Sequence, residues 1–257
     1  MRRRILVVGA GAIAVAAAAA GYHTRQPGFD LAIPAVPAGE ERVERRRSAM
    51  RGKTVDFYTA VPAGYGDGSG LPVCLVLHGA TAQPADFARL GFGRFLTDAV
   101  NRGAPPFVLA GASGGTLAWR PSGGDDPQRM VREEIPLWCK ARGYDVSRRA
   151  LWGWSVGGYG ALLLAEAFPG FARAVAAFSP EVSPGDDVTG AARLLRGTPV
   201  GLWCGRQDPL YPDVRAFAKV LPEPLAAGAY AEGRHNMAYW SRCIPAAFDF
   251  LGRRLGR

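Results

Sequence analysis

The sequence predicts an α/β domain, a mostly parallel central sheet with helices on both faces, and three observations carry that reading. From Glu40 onward, strand-like and helix-like stretches alternate, the rhythm that builds a parallel sheet sandwiched between helices. The run Val73-Cys74-Leu75-Val76-Leu77 is apolar at every position, as a strand covered on both faces requires. A length of 257 residues with 48% hydrophobic and 21% charged residues suits one large domain with a sizeable core, and excludes a disordered chain or a multi-span membrane protein.

Taken in order, residues 1–22 read as a signal peptide or N-terminal anchor, 23–39 as a linker and 40–257 as the α/β domain. Arg2, Arg3 and Arg4 precede an uncharged, alanine-rich run from Ile5 to Tyr22, the grammar of an export signal. Ala18-Ala19-Ala20 offers a small-residue cleavage site, and the run is weakly hydrophobic for a permanent span, so cleavage is favoured over an anchor. Arg2-Arg3-Arg4-Ile5-Leu6 also fits the core of a twin-arginine signal, which leaves the export route open. The expected location is therefore outside the cell or in its envelope, with membrane contact through this segment only.

The same segment holds Gly9-Ala10-Gly11-Ala12-Ile13-Ala14, a match to the G-x-G-x-x-A turn of a dinucleotide-binding unit. That unit needs a second strand ending in an acidic residue, and Asp30 has the separation. Pro34 and Pro37 follow it and deny a central strand its ladder bonds, so no cofactor is expected.

Within the domain, strands are expected at Arg42–Ser48, Val55–Val61, Val73–Leu77, Phe107–Ala110, Ala150–Trp154, Ala172–Phe178, Val200–Cys204 and Ala227–Ala231. Helices are expected at Pro84–Asn101, Gln128–Arg142, after Ser155, at Leu210–Val220 and at Tyr239–Leu251.

The net charge of +9 does not point to nucleic acid. Residues 1–51 carry nine arginines against four acidic residues, so more than half of the excess lies near the N-terminus, and no recognition motif accompanies it. Attraction to anionic lipid or polymer stays open. Cys74, Cys139, Cys204 and Cys243 show no C-x-x-C spacing and no histidine at ligand distance, so no metal site is expected. Cys74 and Cys204 read as small buried hydrophobes.

Chemistry enters at Gly153-Trp154-Ser155-Val156-Gly157. This G-x-S-x-G lies between an apolar strand and a small-residue helix, where a strained turn exposes the serine and glycines two positions either side let backbone pass closely. A hydroxyl needs a base to become a nucleophile. Of three histidines, His23 lies beside the leader and His78 precedes the serine. His235, after the last expected strand, is the one placed to serve. Its carboxylate partner is Asp208, in the loop after Val200–Cys204, in preference to Asp213 on the next helix. Val156 N–H and Ala80 N–H are the expected oxyanion donors, with Thr81 the alternative to Ala80. His78 is expected to brace that loop.

With these residues the chain resembles the putative-esterase family of α/β hydrolases, which includes esterase D and the mycobacterial antigen 85 acyltransferases. The likeness runs from about Val55 to Leu251. It rests on Leu77-His78-Gly79-Ala80, Gly153-Trp154-Ser155-Val156-Gly157-Gly158-Tyr159-Gly160, Gly205-Arg206-Gln207-Asp208-Pro209, and Gly233-Arg234-His235-Asn236 with Trp240. The resemblance implies the α/β-hydrolase fold, catalytic roles for Ser155, Asp208 and His235, and no cofactor. It also implies that Trp119 and the loop with Asp125 and Asp126 lie near the acyl or alcohol pocket, alongside His78; as residues, Asp125 and Asp126 equally fit a helix cap. The expected activity is carboxylic-ester hydrolysis through an acyl-enzyme on a small-molecule or glycan-linked ester. Acyl transfer to a sugar or glycan hydroxyl, and a non-catalytic envelope-binding protein on the same scaffold, are the alternatives. Tight insertions after Trp119 and Ser179 suggest a modest lid and small acyl groups.

Overall fold

A computed structural model describes residues 31–116 and 118–257. The expected signal segment, His23 and the glycine turn at 9–14 lie outside the described residues.

Eight strands form one sheet in the order β1-β2-β4-β3-β5-β6-β7-β8. The first two, β1 (Glu41–Ser48) and β2 (Lys53–Ala60), form a hairpin closed at Gly52, whose φ of 61° glycine adopts without a Cβ clash. After an antiparallel step from β2 to β4 (Val108–Ala112), every remaining pair is parallel: β3 (Pro72–Leu77), β5 (Asp145–Trp154), β6 (Val175–Phe178), β7 (Val200–Trp203) and β8 (Ala227–Ala229). The period-two alternation of strand side chains divides the core. Val73, Leu75 and Leu77 of β3 join one buried cluster, and Cys74 and Val76 join the other.

The first cluster is covered by α2, which runs through Pro127–Arg129, Met130–Glu134 and Ile135–Lys140, and by α3 (Val156–Ala167). The second is covered by α1 (Phe92–Asn101) and α6 (Met237–Leu255), and its centre is aromatic, with Phe92, Trp152, Trp154, Phe178 and Phe248 stacked edge to face or tilted. All four cysteines are buried thiols. No helix among the described residues is long and apolar enough to cross a membrane.

Several elements differ from the sequence expectation for identifiable reasons. The single helix expected over Pro84–Asn101 is a 3₁₀ turn, Pro84–Asp86, followed by a break and then α1. Gly91 makes the break at φ 79°, which lets Phe87 and Phe92 both reach the aromatic cluster, their rings 5.0 Å apart. In α2 the middle segment, Met130–Glu134, has π geometry. Pro136 has no N–H for a helical bond, and Ile135 N–H donates instead to the Met130 carbonyl. A short helix, α4 (Asp187–Ala191), precedes β7 where none was expected, capped by Asp186, which accepts from Thr189 N–H at 2.7 Å. Residues 31–39, expected as a linker, lie on the domain: Leu31 and Ile33 pack against the second cluster, and the Val36 carbonyl accepts from Arg94 Nε at 2.9 Å.

Glu166, near the end of α3, is 2% exposed, and neither carboxyl oxygen has a hydrogen-bond partner among the described residues. Burial, helped by Asp186 and Asp187, pushes its carboxyl up to about 8. The unfolded chain ionises near the ordinary carboxyl value of about 4.5, so the folded state binds the extra proton and stability falls as pH rises from there through 8. Glu166→Gln is expected to match the parent within about 1 kcal/mol at pH 5 and to exceed it by a few kcal/mol at pH 9. Urea denaturation at the two pH values checks this; identical pH slopes for both proteins would refute it.

Candidate active site

Strands β3, β5 and β7 run parallel, so the loops after their carboxyl ends meet at one rim of the sheet, where open α/β sheets place their ligands. Ser155 occupies the turn from β5 into α3 with φ 56° and ψ −128°, a strained conformation for a residue with a Cβ. Two glycines make that turn feasible. A Cβ on Gly153 would stand 2.3 Å from the Gly157 carbonyl oxygen, and one on Gly157 would stand 2.0 Å from the Leu77 carbonyl oxygen. The turn is anchored by Ser155 N–H, which donates to the Phe178 carbonyl at 2.9 Å.

The loops after β7 and β8 are clamped to each other. Gln207 N–H donates to the Gly233 carbonyl at 3.0 Å, and Gly233 N–H donates to the Gln207 side-chain oxygen at 2.6 Å. Gly205 allows this approach, since a Cβ there would meet the Gly233 oxygen at 2.2 Å. The clamp brings His235 onto Asp208. The imidazole Nδ1 donates to the Asp208 carboxylate at 2.9 and 3.1 Å, which leaves Nε2 to accept from Ser155 Oγ at 2.9 Å. The carboxylate is an acceptor only, and that assigns the tautomer. Asp208 is 3% exposed and also accepts from Leu210 N–H at 2.9 Å. On the far side, the His235 ring stands edge-on to Trp240 at 4.9 Å, and Trp240 Nε1 donates to Ser179 at 3.0 Å. Asp213 lies on α5 (Tyr211–Val220), outside this line.

Because Gly157 presses on the Leu77 and His78 carbonyls, the first turn of α3, with Val156, abuts the loop that carries Ala80. No acceptor among the described residues takes the Val156 or Ala80 amide hydrogen. Within that loop His78 is 1% exposed. Its Nε2 accepts from Gly114 N–H and its Nδ1 donates to the Gly79 carbonyl, both at 2.8 Å, so it is a neutral strut between the loops after β3 and β4. Burial holds its imidazole down at about 4.

Three residues that the resemblance put near the pocket are not among the residues that line the cavity. The Trp119 ring is 2% exposed and wedged against Gly114 and Gly160, its Nε1 donating to the His78 carbonyl at 2.9 Å. It supports the wall from behind, while its neighbours Ala118 and Arg120 face the cavity. Asp125 is held in ion pairs by Arg51, which is buried, and by Lys53, and the Arg51 hydrogen bond draws its carboxyl below the usual range. Asp126 caps α2 by accepting from Arg129 N–H at 2.9 Å. Both aspartates therefore serve the scaffold, and neither lines the cavity.

That cavity, about 410 Å³, reaches Ser155 through two of its lining residues, Val156, which follows it in the chain, and Glu181, whose N–H bonds its carbonyl, with Tyr159, Val182 and Leu210 also in the walls. Sequence reasoning missed its charged members, Arg120, Glu181 and Asp186, and named Asp213 only as a rival partner for His235. Arg120 is tied to Asp187 at 2.8 Å, bonds the Tyr159 hydroxyl and lies over that ring at 4.7 Å. Burial raises the Glu181 carboxyl, with His235 and Arg120 acting in the opposite direction. No pattern in the sequence distinguishes these positions, because the insertions that carry them acquire a common wall only on folding. Among the described residues, no cluster of three or more histidine, cysteine or carboxylate side chains could hold a metal ion.

Similarities to known proteins agree with this architecture. No curated protein matches the sequence. Among solved structures, a ferulic acid esterase superposes with a TM-score of 0.73 at 18% identity, covering 86% of this chain and 100% of its own. An S-formylglutathione hydrolase from Agrobacterium tumefaciens gives 0.72 at 18%, covering 87% and 98%. A fluorophosphonate-binding serine hydrolase of Staphylococcus aureus gives 0.71 at 16%, covering 84% and 99%. At these identities the likeness speaks for the fold, and the sequence itself supplies the rest: residues 48–221 match the family described as Putative esterase. This chain belongs to that family of carboxylic ester hydrolases, built on the α/β-hydrolase fold.

Proposed function

We propose that the protein cleaves carboxylic esters through an acyl-enzyme on Ser155. The observation that carries the proposal is the hydrogen-bonded line from Ser155 Oγ through His235 to Asp208, each step 2.9 Å. Ser155 Oγ bonds to the ester carbonyl carbon while its proton passes to His235 Nε2. The carbonyl oxygen, now negative, accepts hydrogen bonds from Val156 N–H and Ala80 N–H. The carbon–oxygen bond to the alcohol then breaks, and the departing alkoxide takes the proton from His235. Water repeats the sequence on the acyl-enzyme, giving its proton to Nε2 and releasing the acid as Ser155 regains a proton. Asp208 accepts from His235 Nδ1 and holds the imidazole in the required tautomer.

Similarity to a ferulic acid esterase and to a fluorophosphonate-binding serine hydrolase supports this reading. The cavity volume suits a small-molecule or glycan-linked ester with a modest acyl group. The protein acts outside the cytoplasm in this reading, on the strength of Arg2-Arg3-Arg4 and the apolar run behind them.

Labelling with a fluorophosphonate probe tests the mechanism. The probe is expected to attach to Ser155 in the parent protein and to leave His235→Gln unlabelled, as peptide mass mapping would show. Attachment to any other residue, or undiminished labelling of His235→Gln, would remove the triad from the mechanism.

A further inference from the structure

The cavity beside Ser155 differs in charge from the rest of the molecule. The chain carries a net +9, yet the cavity wall holds one cation, Arg120, against three carboxylates, Glu181, Asp186 and Asp213. Their partners differ too. Arg120 is committed to Asp187 and Tyr159, and Asp186 is occupied by the amide hydrogens of Ser183 and Thr189. The carboxylates of Glu181 and Asp213 have no ion pair or hydrogen bond among the described residues. They come from separate parts of the chain, Glu181 from the segment after β6 and Asp213 from the first turn of α5. Glu181 is also positioned by the nucleophile itself, since its N–H donates to the Ser155 carbonyl at 3.3 Å.

We propose that Glu181 and Asp213 are specificity-determining residues, and that the cavity selects esters carrying a positive charge in the acyl or alcohol part that it receives. The inference rests on the ester-hydrolase reading of Ser155 and narrows its substrate class. Two unpaired carboxylates in a recess of low dielectric attract a cation more strongly than the same groups in open water. Burial already strains the charge on Glu181, which a substrate cation relieves. A neutral group of the same shape fills the cavity without that gain, and an anionic one is repelled. Apolar walls from Val182 and Leu210 suit the methyl groups of a quaternary ammonium or the stem of an alkylamine.

Matched esters that differ only in charge provide the test. Acetylcholine is compared with 3,3-dimethylbutyl acetate for a charge in the alcohol, and p-nitrophenyl 4-(trimethylammonio)butanoate with p-nitrophenyl 5,5-dimethylhexanoate for a charge in the acyl group. In at least one pair, kcat/KM for the cation is expected to exceed that of its neutral isostere by about fivefold or more at low salt. In the E181Q/D213N double variant that ratio should fall to within about twofold. Fluorophosphonate labelling of Ser155 is followed in the same samples. Labelling without cationic preference, whether the esters turn over equally or not at all, overturns the proposal and leaves the ester-hydrolase reading standing. A preference that survives in the double variant assigns it to other residues and also overturns the proposal. Neither labelling nor turnover would sink both.

Discussion

Replacing Ser155 with alanine is expected to lower turnover of p-nitrophenyl acetate by about four or more orders of magnitude, equivalent to roughly 5.5 kcal/mol of lost transition-state stabilisation. The size follows from what disappears. Without Oγ there is no atom to carry the acyl group, and His235 Nε2 loses the proton donor it faces at 2.9 Å. The remaining parts of the site, the amides of Val156 and Ala80 and the cavity, supply only binding and oxyanion stabilisation to a reaction with bulk water. The fold should persist, because alanine keeps the Cβ that the turn already tolerates at φ 56° and the Ser155 backbone bonds to Phe178, Tyr159 and Glu181 do not involve the hydroxyl. Initial-rate kinetics alongside a thermal melt check both halves. Turnover within tenfold of the parent at an unchanged melting temperature would exclude Ser155 as the nucleophile.

Replacing Gly157 with alanine is expected to damage stability and catalysis together. The added Cβ falls 2.0 Å from the Leu77 carbonyl oxygen and 2.6 Å from that of His78, distances that no side-chain rotation can relieve because both obstacles are backbone. Either α3 moves outward or the end of β3 shifts, and β3 is held at its neighbours by parallel pairing with β4 and β5. We expect a loss of about 3 kcal/mol or more, the range of severe overpacking. The folded fraction should also lose at least about a hundredfold in turnover, since either movement separates Val156 N–H from Ala80 N–H. Gly158→Ala is the control: its nearest obstacle is Pro180 at 3.1 Å, and its cost should stay near or below 1 kcal/mol. Thermal denaturation with active-site titration would separate the two effects, and a Gly157→Ala protein as stable as Gly158→Ala would refute the tight-elbow account.

The sequence was most legible where one physical requirement governs one short stretch. Gly153 and Gly157 announce a turn in which backbone passes backbone, and a Cβ at either position would stand only 2.3 or 2.0 Å from a backbone oxygen. The apolar run at Val73–Leu77 announces a strand without a solvent face, and every residue of β3 is buried. Legibility fell where the outcome depends on distant partners. A continuous helix over Pro84–Asn101 satisfies local propensity, but two phenylalanines five residues apart gain more by reaching one aromatic cluster, so the chain breaks at Gly91. Asp125 carries no local mark of its role, because the buried Arg51 that holds it lies in the turn between the first two strands.

By itself the sequence determined the fold class, the family, the strained serine turn and the identity of three residues that meet around it. Those properties follow from hydrophobic period, glycine placement and order along the chain, all of which are local or nearly so. The tertiary structure alone decided which charged groups line the cavity, how Asp125 and Asp126 are used, and which tautomers His78 and His235 hold. These are questions of distance between segments far apart in the chain, and charge interactions depend on separation and burial, which sequence spacing does not encode.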